Sequence, residues 1–535
     1  MAFLLHQLLS ETAAKYPDKE AVNFNGEAIT YSELDKVSNR LTNLLIAYGV
    51  KRGDGIAIYM PRNINSIIAL FGILKSGATY VPIDQFCPEN RLSYIINKCE
   101  ISFLLSSEEK LNNIKRSSSG GSPLKNVLLM DRLEESDGLG IEIKILSWKK
   151  EVINYSDKNP DIHVMDGDLS YILFTSGSTG TPKGVMISHL NALTFINMAC
   201  EFFKITKEDI FSNISPLHFD LSVFDIYVAF KAGATVVIVP EGISMFPLKL
   251  AKFIEKNKIT VWNSVSSALS LLVTYTDLSK FNFSSLRLVL FAGEVFPVKY
   301  LRQLKKHILS AQFYNIYGQT EANSSTYYLI EEVPEDDSSL IPIGKPFPNF
   351  EIFALDENGK KVNEPGQKGE LYVRASSVAL GYWGDEEKTS EKFVKNPLNP
   401  DSNERIYKTG DIVRLDSSGN YIFLGRADHM IKSRGYRIEI GEIETALSNH
   451  PQVKNAVVIP IPDELIGNRI AVVIVPSDGN VIKKEDILRY CSTQLPKYMI
   501  PEIVELRDAL PITSSGKTDR KKLFEIVNGT FNYKI

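Results

Sequence analysis

Apolar runs rich in β-branched residues alternate with amphipathic helical patterns along most of the chain. The periodic stretches 32–48 and 64–75 predict helices that cross between strands. Strands alternating with helices form largely parallel sheets with helices on their faces. The pattern therefore predicts a layered α/β body, with buried strands at 55–59, 235–239, 259–262 and 286–291.

The pattern changes near residue 366, where short strands separated by polar turns predict an antiparallel subdomain. The final part mixes predicted strands at 453–460 and 469–475 with a helix at 484–494, which indicates a small α+β domain. We predict an N-terminal core over 1–427, with its β-rich subdomain from about 366, and a C-terminal domain over 428–535.

Composition narrows the class of protein. A chain of 535 residues is longer than one hydrophobic core usually serves, so two or more domains are expected. Its formal charge of -4 gives no general electrostatic reason to bind nucleic acid or an anionic membrane. The start lacks a basic leader, and no apolar run approaches the ~20 residues that span a bilayer. The four cysteines show neither zinc-ligand spacing nor a disulfide framework. We expect a soluble, cytoplasmic protein.

The sharpest local signal is the segment 171–184, YILFTSGSTGTPKG, in which an apolar strand leads into Ser, Thr and Gly residues followed by Lys183. Glycines allow backbone N–H groups to face an anion, hydroxyls add donors, and lysine adds charge. A flexible surface loop is the alternative interpretation. The segment lacks the GxxxxGK[ST] pattern of a Walker loop, so it predicts a different kind of polyphosphate site.

This segment resembles the signature of the adenylate-forming superfamily, which includes acyl-CoA synthetases, luciferases and the adenylation domains of nonribosomal peptide synthesis. Further motifs follow in family order, so the resemblance covers nearly the whole chain. These motifs are LKSGATYVPID from Leu74, YGQTE from Tyr317, GELYVRASSVALGYW from Gly369, YKTGD from Tyr407, GRADHMIKSRGYRIE from Gly425 and PITSSGKTDR from Pro511.

The resemblance implies the family's α/β fold with a mobile C-terminal domain, and it implies an ATP site. Tyr317 is expected to pack on adenine, Thr320 to touch phosphate, Glu321 to hold Mg²⁺, and Asp411 to bind the ribose hydroxyls. An aromatic face, a hydroxyl and hard oxygen ligands suit these tasks. The full set of implied nucleotide-binding residues is Thr175, Ser176, Gly177, Ser178, Thr179, Lys183, Asn315, Tyr317, Thr320, Asp411 and Arg426.

Two residues of the predicted C-terminal domain carry further implied roles. Lys517 matches the family's catalytic lysine, which bridges the substrate carboxylate and the ATP oxygens. Asp428 matches the family's hinge, about which this domain swings after the first half-reaction. That swing is expected to withdraw Lys517 and to present the loop around Gly435 to a thiol acceptor.

The segment 218–230 matches the family's substrate-pocket helix, with Asp220 where amino-acid-activating members hold the α-ammonium group. An enclosed carboxylate is costly unless paired, so it favours a substrate that brings its own cation. The other matched pocket positions are mostly apolar and predict a small neutral side chain. They are Leu221, Phe224, Asn263, Leu290, Ala292, Ile316, Ser324 and Ser325.

Proline, alanine, cysteine and serine all remain open, because one methylene gives only ~1–3 kcal/mol of discrimination. Proline is favoured, since the chain resembles free-standing enzymes that load proline onto a carrier. No carrier-type GG[HD]S string occurs, so we expect a separate phosphopantetheinylated carrier protein as acceptor. Three alternatives remain: an acyl- or aryl-CoA ligase, a catalytically silent nucleotide-binding or scaffold protein, and a standalone amino-acid–AMP ligase of a pathway such as cell-wall alanylation.

Overall fold

The computed structural model describes residues 2–118, 121–131, 143–177, 181–243, 246–427, 430–477, 482–511 and 518–532. Within these residues two large sheets form the body. Each is parallel at its centre; the larger is antiparallel at both edges and the other at one edge. The predicted strands and helices of the α/β body are present, with bounds shifted by a few residues.

The larger sheet contains the strands that lead to the candidate site. Its central strands are buried on both faces, as their nearly continuous apolar sequences require. In spatial order its strands are Lys345–Pro346, Asn323–Leu329, Gln312–Gln319, Leu288–Ala292, Val261–Val265, Ile210–Asn213, Thr235–Ile238, Glu20–Phe24 and Glu27–Thr30.

The second sheet contains the strand that leads into the predicted phosphate loop. Leu169–Thr175 enters this loop and Lys183–Ser188 returns from it, antiparallel, with Thr175 opposite Lys183. In spatial order its strands are Gly381–Tyr382, Lys183–Ser188, Leu169–Thr175, Thr79–Pro82, Gly55–Tyr59, Phe103–Ser106, Asn126–Leu129 and Lys144–Ser147.

Helices cover the faces of both sheets, and several begin at side-chain caps. Thr30 and Glu33 form a reciprocal capping box at the start of Tyr31–Ala47. The helices of the body are Leu5–Lys15, Tyr31–Ala47, Ile64–Lys75, Glu89–Lys98, Leu111–Ser117, Trp148–Glu151, His189–Phe202, Leu221–Val223, Ala229–Ala232, Pro247–Lys256, Ser266–Tyr275, Val298–His307 and Glu386–Lys392, with a π-helical turn at Phe224–Val228.

The β-rich subdomain begins earlier than predicted. Its first strand is Glu351–Leu355, before residue 366, because this strand pairs with Lys368–Arg374 as the first arm of a hairpin. Its other strands are Phe393–Lys395, Arg405–Leu415 and Tyr421–Arg426, and every pairing in this sheet is antiparallel.

The C-terminal part has its own apolar core, built around Ile443, Val472 and Met499. It contains the hairpin Met430–Ser433 and Tyr436–Glu439 and a sheet of Val453–Asp463, Gly467–Pro476 and Ile503–Leu506. Its helices are Ile440–Ser448, Lys484–Gln494 and Arg520–Asn532. The domain boundary between 427 and 428 stays a prediction.

Candidate active site

The predicted site residues meet where the central parallel strands of the larger sheet end. Ala292 and Gln319 each end a strand at this edge, and Val265 ends a third. Loops at the carboxyl ends of parallel strands form the usual ligand crevice of an open α/β sheet. Four predicted site residues, Ser178, Thr179, Asp428 and Lys517, lie outside the described residues.

The phosphate loop contacts the C-terminal part of the chain. Ser176 donates its Oγ hydrogen to the backbone carbonyl of Arg437 at 2.7 Å and accepts the backbone N–H of Glu439 at 3.2 Å. The N–H of Gly177 donates to Glu442 Oε2 at 3.4 Å. Thr175 has a buried hydroxyl that lacks a partner within the described residues. Donors predicted to bind phosphate are therefore in contact with protein groups.

Glu321 lies beside the loop and is fully buried. Its Oε1 accepts from the Tyr382 hydroxyl at 2.8 Å and lies 3.4 Å from Lys183 Nζ. Arg437 NH1 donates to both carboxylate oxygens, at 3.0 and 2.9 Å. Burial opposes ionisation, but Arg437 and Lys183 outweigh it and hold the pKa of Glu321 well below its usual range.

Lys183 is also buried, and its ammonium group lies over the Tyr382 ring at 4.7 Å from the centroid. Burial and the nearby Arg437 guanidinium lower the pKa of Lys183 to about 8, and Glu321 opposes this shift. Two cations and one carboxylate meet at this point of the site.

Asp411 is the buried centre of a second cluster. Its Oδ1 accepts from Arg426 at 2.6 Å, and its Oδ2 accepts from Gln319 at 2.6 Å and from the Tyr317 hydroxyl. Gln319 also accepts the Tyr407 hydroxyl. Sequence reasoning missed this positioning of Asp411 by Gln319, although Gln319 stands inside the YGQTE motif.

A cavity of about 450 Å³ adjoins this cluster and is lined by residues from both the body and the C-terminal part. Tyr317 and Arg426 line it, as does Asn315, whose amide donates to the carbonyl of Pro342 at 2.8 Å. Ile343 and Phe423 add apolar surface. An aromatic ring, apolar walls and an adjacent carboxylate form a surface suited to a nucleoside.

A smaller cavity of about 110 Å³ contains Asp220. The Thr320 hydroxyl donates to Asp220 Oδ2 at 3.1 Å, so Thr320 contacts Asp220, whereas a phosphate contact was predicted for it. Burial raises the pKa of Asp220, and the Thr320 hydrogen bond and the charge of Lys432 offset part of the rise. Among the described residues no cation forms an ion pair with this carboxylate.

Most of the predicted pocket residues line this cavity together. These residues are Leu221, Phe224, Asn263, Leu290, Ala292, Ile316 and Ser324. Ser325 corrects the prediction: it is fully buried, its hydroxyl donates to the carbonyl of Asn323 at 3.1 Å, and it does not line the cavity. Ser325 is the extra residue of a β-bulge, because Ser324 pairs with Gly318 and Thr326 with Tyr317, and here Ser324 faces the cavity.

Asn263 has a fixed orientation at the wall of this cavity. Its Nδ2 donates to Asp225 Oδ1 at 3.1 Å and approaches the carbonyl of Leu221 at 3.4 Å. Burial raises the pKa of Asp225 to about 7, and the amides of Asn263 and Asn213 oppose this rise by stabilising the charged form. Sequence reasoning gave no role to Asp225.

The geometry is that of an adenylate-forming enzyme, and comparison with known proteins agrees. A family model described as AMP-binding enzyme matches residues 9–383, and one described as AMP-binding enzyme C-terminal domain matches residues 442–517. The chain belongs to this family. The fold and the family membership predicted from the motifs are confirmed.

Two curated relatives and one solved structure are similar to nearly the whole chain. An L-proline--[L-prolyl-carrier protein] ligase of Pseudomonas fluorescens is 35% identical over 526 residues, which are 98% of this chain and 100% of the relative. Bacitracin synthase 1 of Bacillus licheniformis is 35% identical over 98% of this chain, which spans only 9% of that synthase. The crystal structure of IdnL1 superposes with a TM-score of 0.78 at 26% identity, covering 96% of this chain and 99% of IdnL1.

Two further observations concern membranes and metals. No helix in the described ranges is long and apolar enough to cross a membrane. Those ranges also contain no group of three or more His, Cys, Asp or Glu side chains that could hold a metal ion.

Proposed function

We propose that this protein activates a small neutral amino acid with ATP, forms the aminoacyl-AMP with release of pyrophosphate, and transfers the aminoacyl group to the phosphopantetheine thiol of a separate carrier protein. Proline is the favoured substrate. The observation that carries this proposal is Asp220, an enclosed carboxylate facing a small cavity without a cationic partner among the described residues.

The presence of Asp220 supports an amino acid as the substrate in preference to other carboxylic acids. A partly buried carboxylate gains from a ligand that supplies a positive charge, because part of its own solvation is already lost. The α-ammonium group of an amino acid supplies that charge. Fatty and aryl acids do not, and they would leave Asp220 uncompensated.

The size of the cavity supports a small substrate. Its volume of about 110 Å³ is well below the ~300–1,000 Å³ of pockets for drug-sized ligands. Its walls near Asp220 include the aromatic rings of Phe195, Phe203 and Phe224 and the aliphatic side chain of Leu290. The ring of proline adds only methylene groups, which suit such walls. The similar carrier-protein ligase of Pseudomonas fluorescens, named for proline, adds weight to this choice.

The two cavities together support the first half-reaction. ATP in the larger cavity places its ribose near Asp411 and its adenine beside Tyr317 and Asn315. The substrate carboxylate then attacks the α-phosphate, the new C–O–P linkage forms, and pyrophosphate departs with the electrons of the broken P–O bond. Lys183 adds positive charge beside the phosphates, and Lys517, as the motif implies, binds the substrate carboxylate. Bound Mg²⁺, for which Glu321 is the candidate ligand, neutralises phosphate charge.

The second half-reaction is supported by the close approach of the C-terminal hairpin to both cavities. Gly435 lies at the turn of this hairpin with φ +80°, a conformation that favours glycine. A Cβ there would lie 2.4 Å from Cγ1 of Val265, which ends the strand Val261–Val265, so a larger residue would clash. A Cβ built on Gly293 would lie 3.8 Å from the Cα of Gly435. In the transfer step the carrier thiol attacks the acyl carbon, the acyl–phosphate bond breaks, and AMP leaves.

The experiment is amino-acid-dependent ATP–pyrophosphate exchange, measured with each standard amino acid and with a panel of fatty and aromatic acids. We expect exchange with small neutral amino acids, fastest with proline, and none in the Lys517→Ala variant. Carrier loading is then measured with phosphopantetheinylated carrier proteins and with free coenzyme A. Exchange with fatty or aryl acids alone would establish the CoA-ligase alternative.

Two other results decide the remaining alternatives. Failure to form AMP with any acid would favour a silent nucleotide-binding or scaffold protein. Exchange with alanine in preference to proline, together with loading of a carrier from a non-peptide pathway, would favour the cell-wall type of ligase.

A further inference from the structure

We propose that Asp225 is a positioning residue for the substrate amine: it fixes the side-chain amide of Asn263 so that Oδ1 of Asn263 faces the cavity and accepts an N–H of the bound ammonium group. The pocket then offers two acceptors, Asp220 and Asn263, which match the two N–H bonds of a secondary ammonium group such as that of proline. This inference rests on the proposed function and extends it to the number of N–H donors that the substrate carries.

The contact between Asp225 and Asn263 has only one possible direction when Asp225 is ionised. Nδ2 of Asn263 donates to Oδ1 of Asp225 at 3.1 Å. An ionised carboxylate has no proton to donate, so only the NH₂ end of an amide can face it. The same NH₂ group also approaches the carbonyl of Leu221 at 3.4 Å. Both contacts hold the nitrogen of Asn263, and its oxygen is left for another partner.

This oxygen is available to a ligand. Oδ1 of Asn263 accepts no hydrogen bond within the described part of the chain. Asn263 is buried and lines the cavity that contains Asp220. Leu221, which the amide approaches, directly follows Asp220 in the chain, so the amide and the carboxylate lie at the same end of the cavity. An acceptor shielded from bulk water is stabilised by a ligand that brings a donor.

A second asparagine holds Asp225 in place from the neighbouring strand. Nδ2 of Asn213 donates to Oδ2 of Asp225 at 3.2 Å. Asn213 ends its strand beside Asn263, because the register of these parallel strands places Ser212 opposite Trp262. Residues at matching places on parallel strands project from the same face of a sheet. Each oxygen of Asp225 thus receives one amide, and the carboxylate cannot turn away from Asn263 without losing Asn213.

Packing alone does not account for Asp225. This carboxylate is fully buried and forms no ion pair among the described residues, and such a group is less favourable than an apolar side chain of similar size. Burial raises its pKa to about 7, and the two amides and the charge of Arg62 favour the ionised form. Arg62 donates to the carbonyl of Asn213 at 3.0 Å and pairs with Glu241 at 3.3 Å. An ionised acceptor binds an amide more strongly than a neutral one does.

Asp225→Asn tests the direction of the amide. One carboxylate serves two NH₂ groups, whereas the single carbonyl of the new amide can serve only one. Asn213 is also held by the carbonyl of Ser215 at 3.1 Å, a shorter contact than that of Asn263 with Leu221. We therefore expect Asn263 to turn, so that its NH₂ group faces the cavity and opposes the substrate's ammonium group.

The ligands for this test are proline and N-methylproline, whose ammonium group carries one N–H in place of two. Binding is measured by calorimetry, without ATP or carrier. We expect Asp225→Asn to bind proline about tenfold more weakly than the wild type does and to bind N-methylproline with unchanged affinity. Equal weakening for both ligands, or unchanged binding of proline, would overturn the proposal.

Asp209→Asn is the matched control. Asp209 is another buried carboxylate of the larger sheet, but it pairs with Arg287 at 2.6 Å, accepts the Thr260 hydroxyl at 2.8 Å and does not line the cavity. We expect this variant to be less stable, because a buried ion pair is broken, and to bind both ligands as the wild type does. Weaker proline binding in both variants would mean that a general loosening of the sheet, and not the amide of Asn263, controls binding.

A second readout uses the wild type and needs no substrate. Asparagine side chains are labelled with ¹⁵N, and the Asn263 signal is identified as the one lost in Asn263→Ser. We expect the NH₂ hydrogens of Asn263 to exchange slowly with water in the wild type, because they are bound to Asp225, and rapidly in Asp225→Asn. Rapid exchange in the wild type would overturn the proposal even if Asp225→Asn failed to fold.

Failure of the proposed function and failure of this inference are distinguishable. If no amino acid supports pyrophosphate exchange, the hydrogen exchange of the Asn263 amide still reports whether Asp225 orients it. If proline supports pyrophosphate exchange but Asp225→Asn binds proline as the wild type does, the function stands and this inference falls.

Discussion

The amino-acid pocket and the phosphate site each contain one enclosed carboxylate, and these carboxylates have opposite surroundings. Asp220 receives a hydrogen bond from Thr320 and forms no ion pair among the described residues, so burial raises its pKa. Glu321, the next residue after Thr320, contacts Lys183 and Arg437, and its pKa is lowered. The comparison shows that the protein compensates the charge of Glu321 with its own cations, whereas Asp220 has no ion-pair partner among the described residues, as our proposal of an ammonium-bearing substrate requires.

The largest effect should come from Glu321→Gln, because it leaves Lys183 and Arg437 buried without an anion. Breaking a buried pair in this way costs about 3–5 kcal/mol. We expect urea denaturation to show a loss of this size in the free energy of unfolding. Glu502→Gln is the control, since its partners Arg434 and Arg469 are both substantially exposed and such pairs contribute about 0–1 kcal/mol each. Equal losses of stability in the two variants would contradict the claim that Glu321 is needed to compensate two buried cations.

Asp220→Asn should have the reverse effect on stability and a large effect on catalysis. Without substrate, the variant lacks an uncompensated carboxylate and should be at least as stable as the wild type. With substrate, loss of the charge pair should lower kcat/KM for the amino acid on the order of 10²–10³-fold. Binding of an ATP analogue, measured by calorimetry, should be unchanged. A parallel loss of nucleotide binding would contradict the assignment of Asp220 to the amino acid.

The sequence motifs predict which residues form much of this site, but they do not predict which side chains contact one another. Lys183, Glu321, Asp411 and Arg426 follow from motif matches, and the structure brings them to one edge of the larger sheet. The contact of Arg437 with Glu321 does not follow, because it joins distant segments through the orientation of the C-terminal part. The relative orientation of two domains is set by small energy differences, and no local sequence pattern encodes those.

Local geometry explains the smaller differences between expectation and structure. Motif matching assigns Ser324 and Ser325 to one pocket, whereas a β-bulge at Ser325 places only Ser324 at the cavity. The start of the antiparallel sheet at Glu351 could not be predicted from the local pattern, because the strand that begins there pairs with Lys368–Arg374, which lies beyond an intervening turn. Nothing in the sequence distinguishes Gln319 from other polar residues. Its role follows from its hydrogen bonds to Asp411 and Tyr407 in the structure.

The pH dependence of amino-acid binding should separate the two carboxylates further. The pKa of Asp220 is raised, so its carboxyl takes up a proton at a higher pH than an ordinary aspartate, and ammonium binding is lost as the pH falls through that value. Below it, KM for the amino acid should rise about tenfold per pH unit. The facing charges are Lys432, which favours ionisation, and Glu321, which opposes it. Initial rates across pH in the wild type and Asp220→Asn provide the check, and an identical rise in both would contradict this cause.

The smallest expected effect is that of Thr320→Val, which removes the hydroxyl from Asp220 while keeping the shape of the side chain. One hydrogen bond to a carboxylate contributes about 1 kcal/mol or somewhat more, so KM for proline should rise about fivefold. The loss of this donor should also move the pH limit for binding upward, since the hydrogen bond stabilises the ionised form. Cyclopentanecarboxylate, which lacks the nitrogen, should bind the variant and the wild type equally weakly in competition assays. Weaker binding of this analogue to Thr320→Val would instead mean that Thr320 acts on the carboxylate or phosphate end of the site.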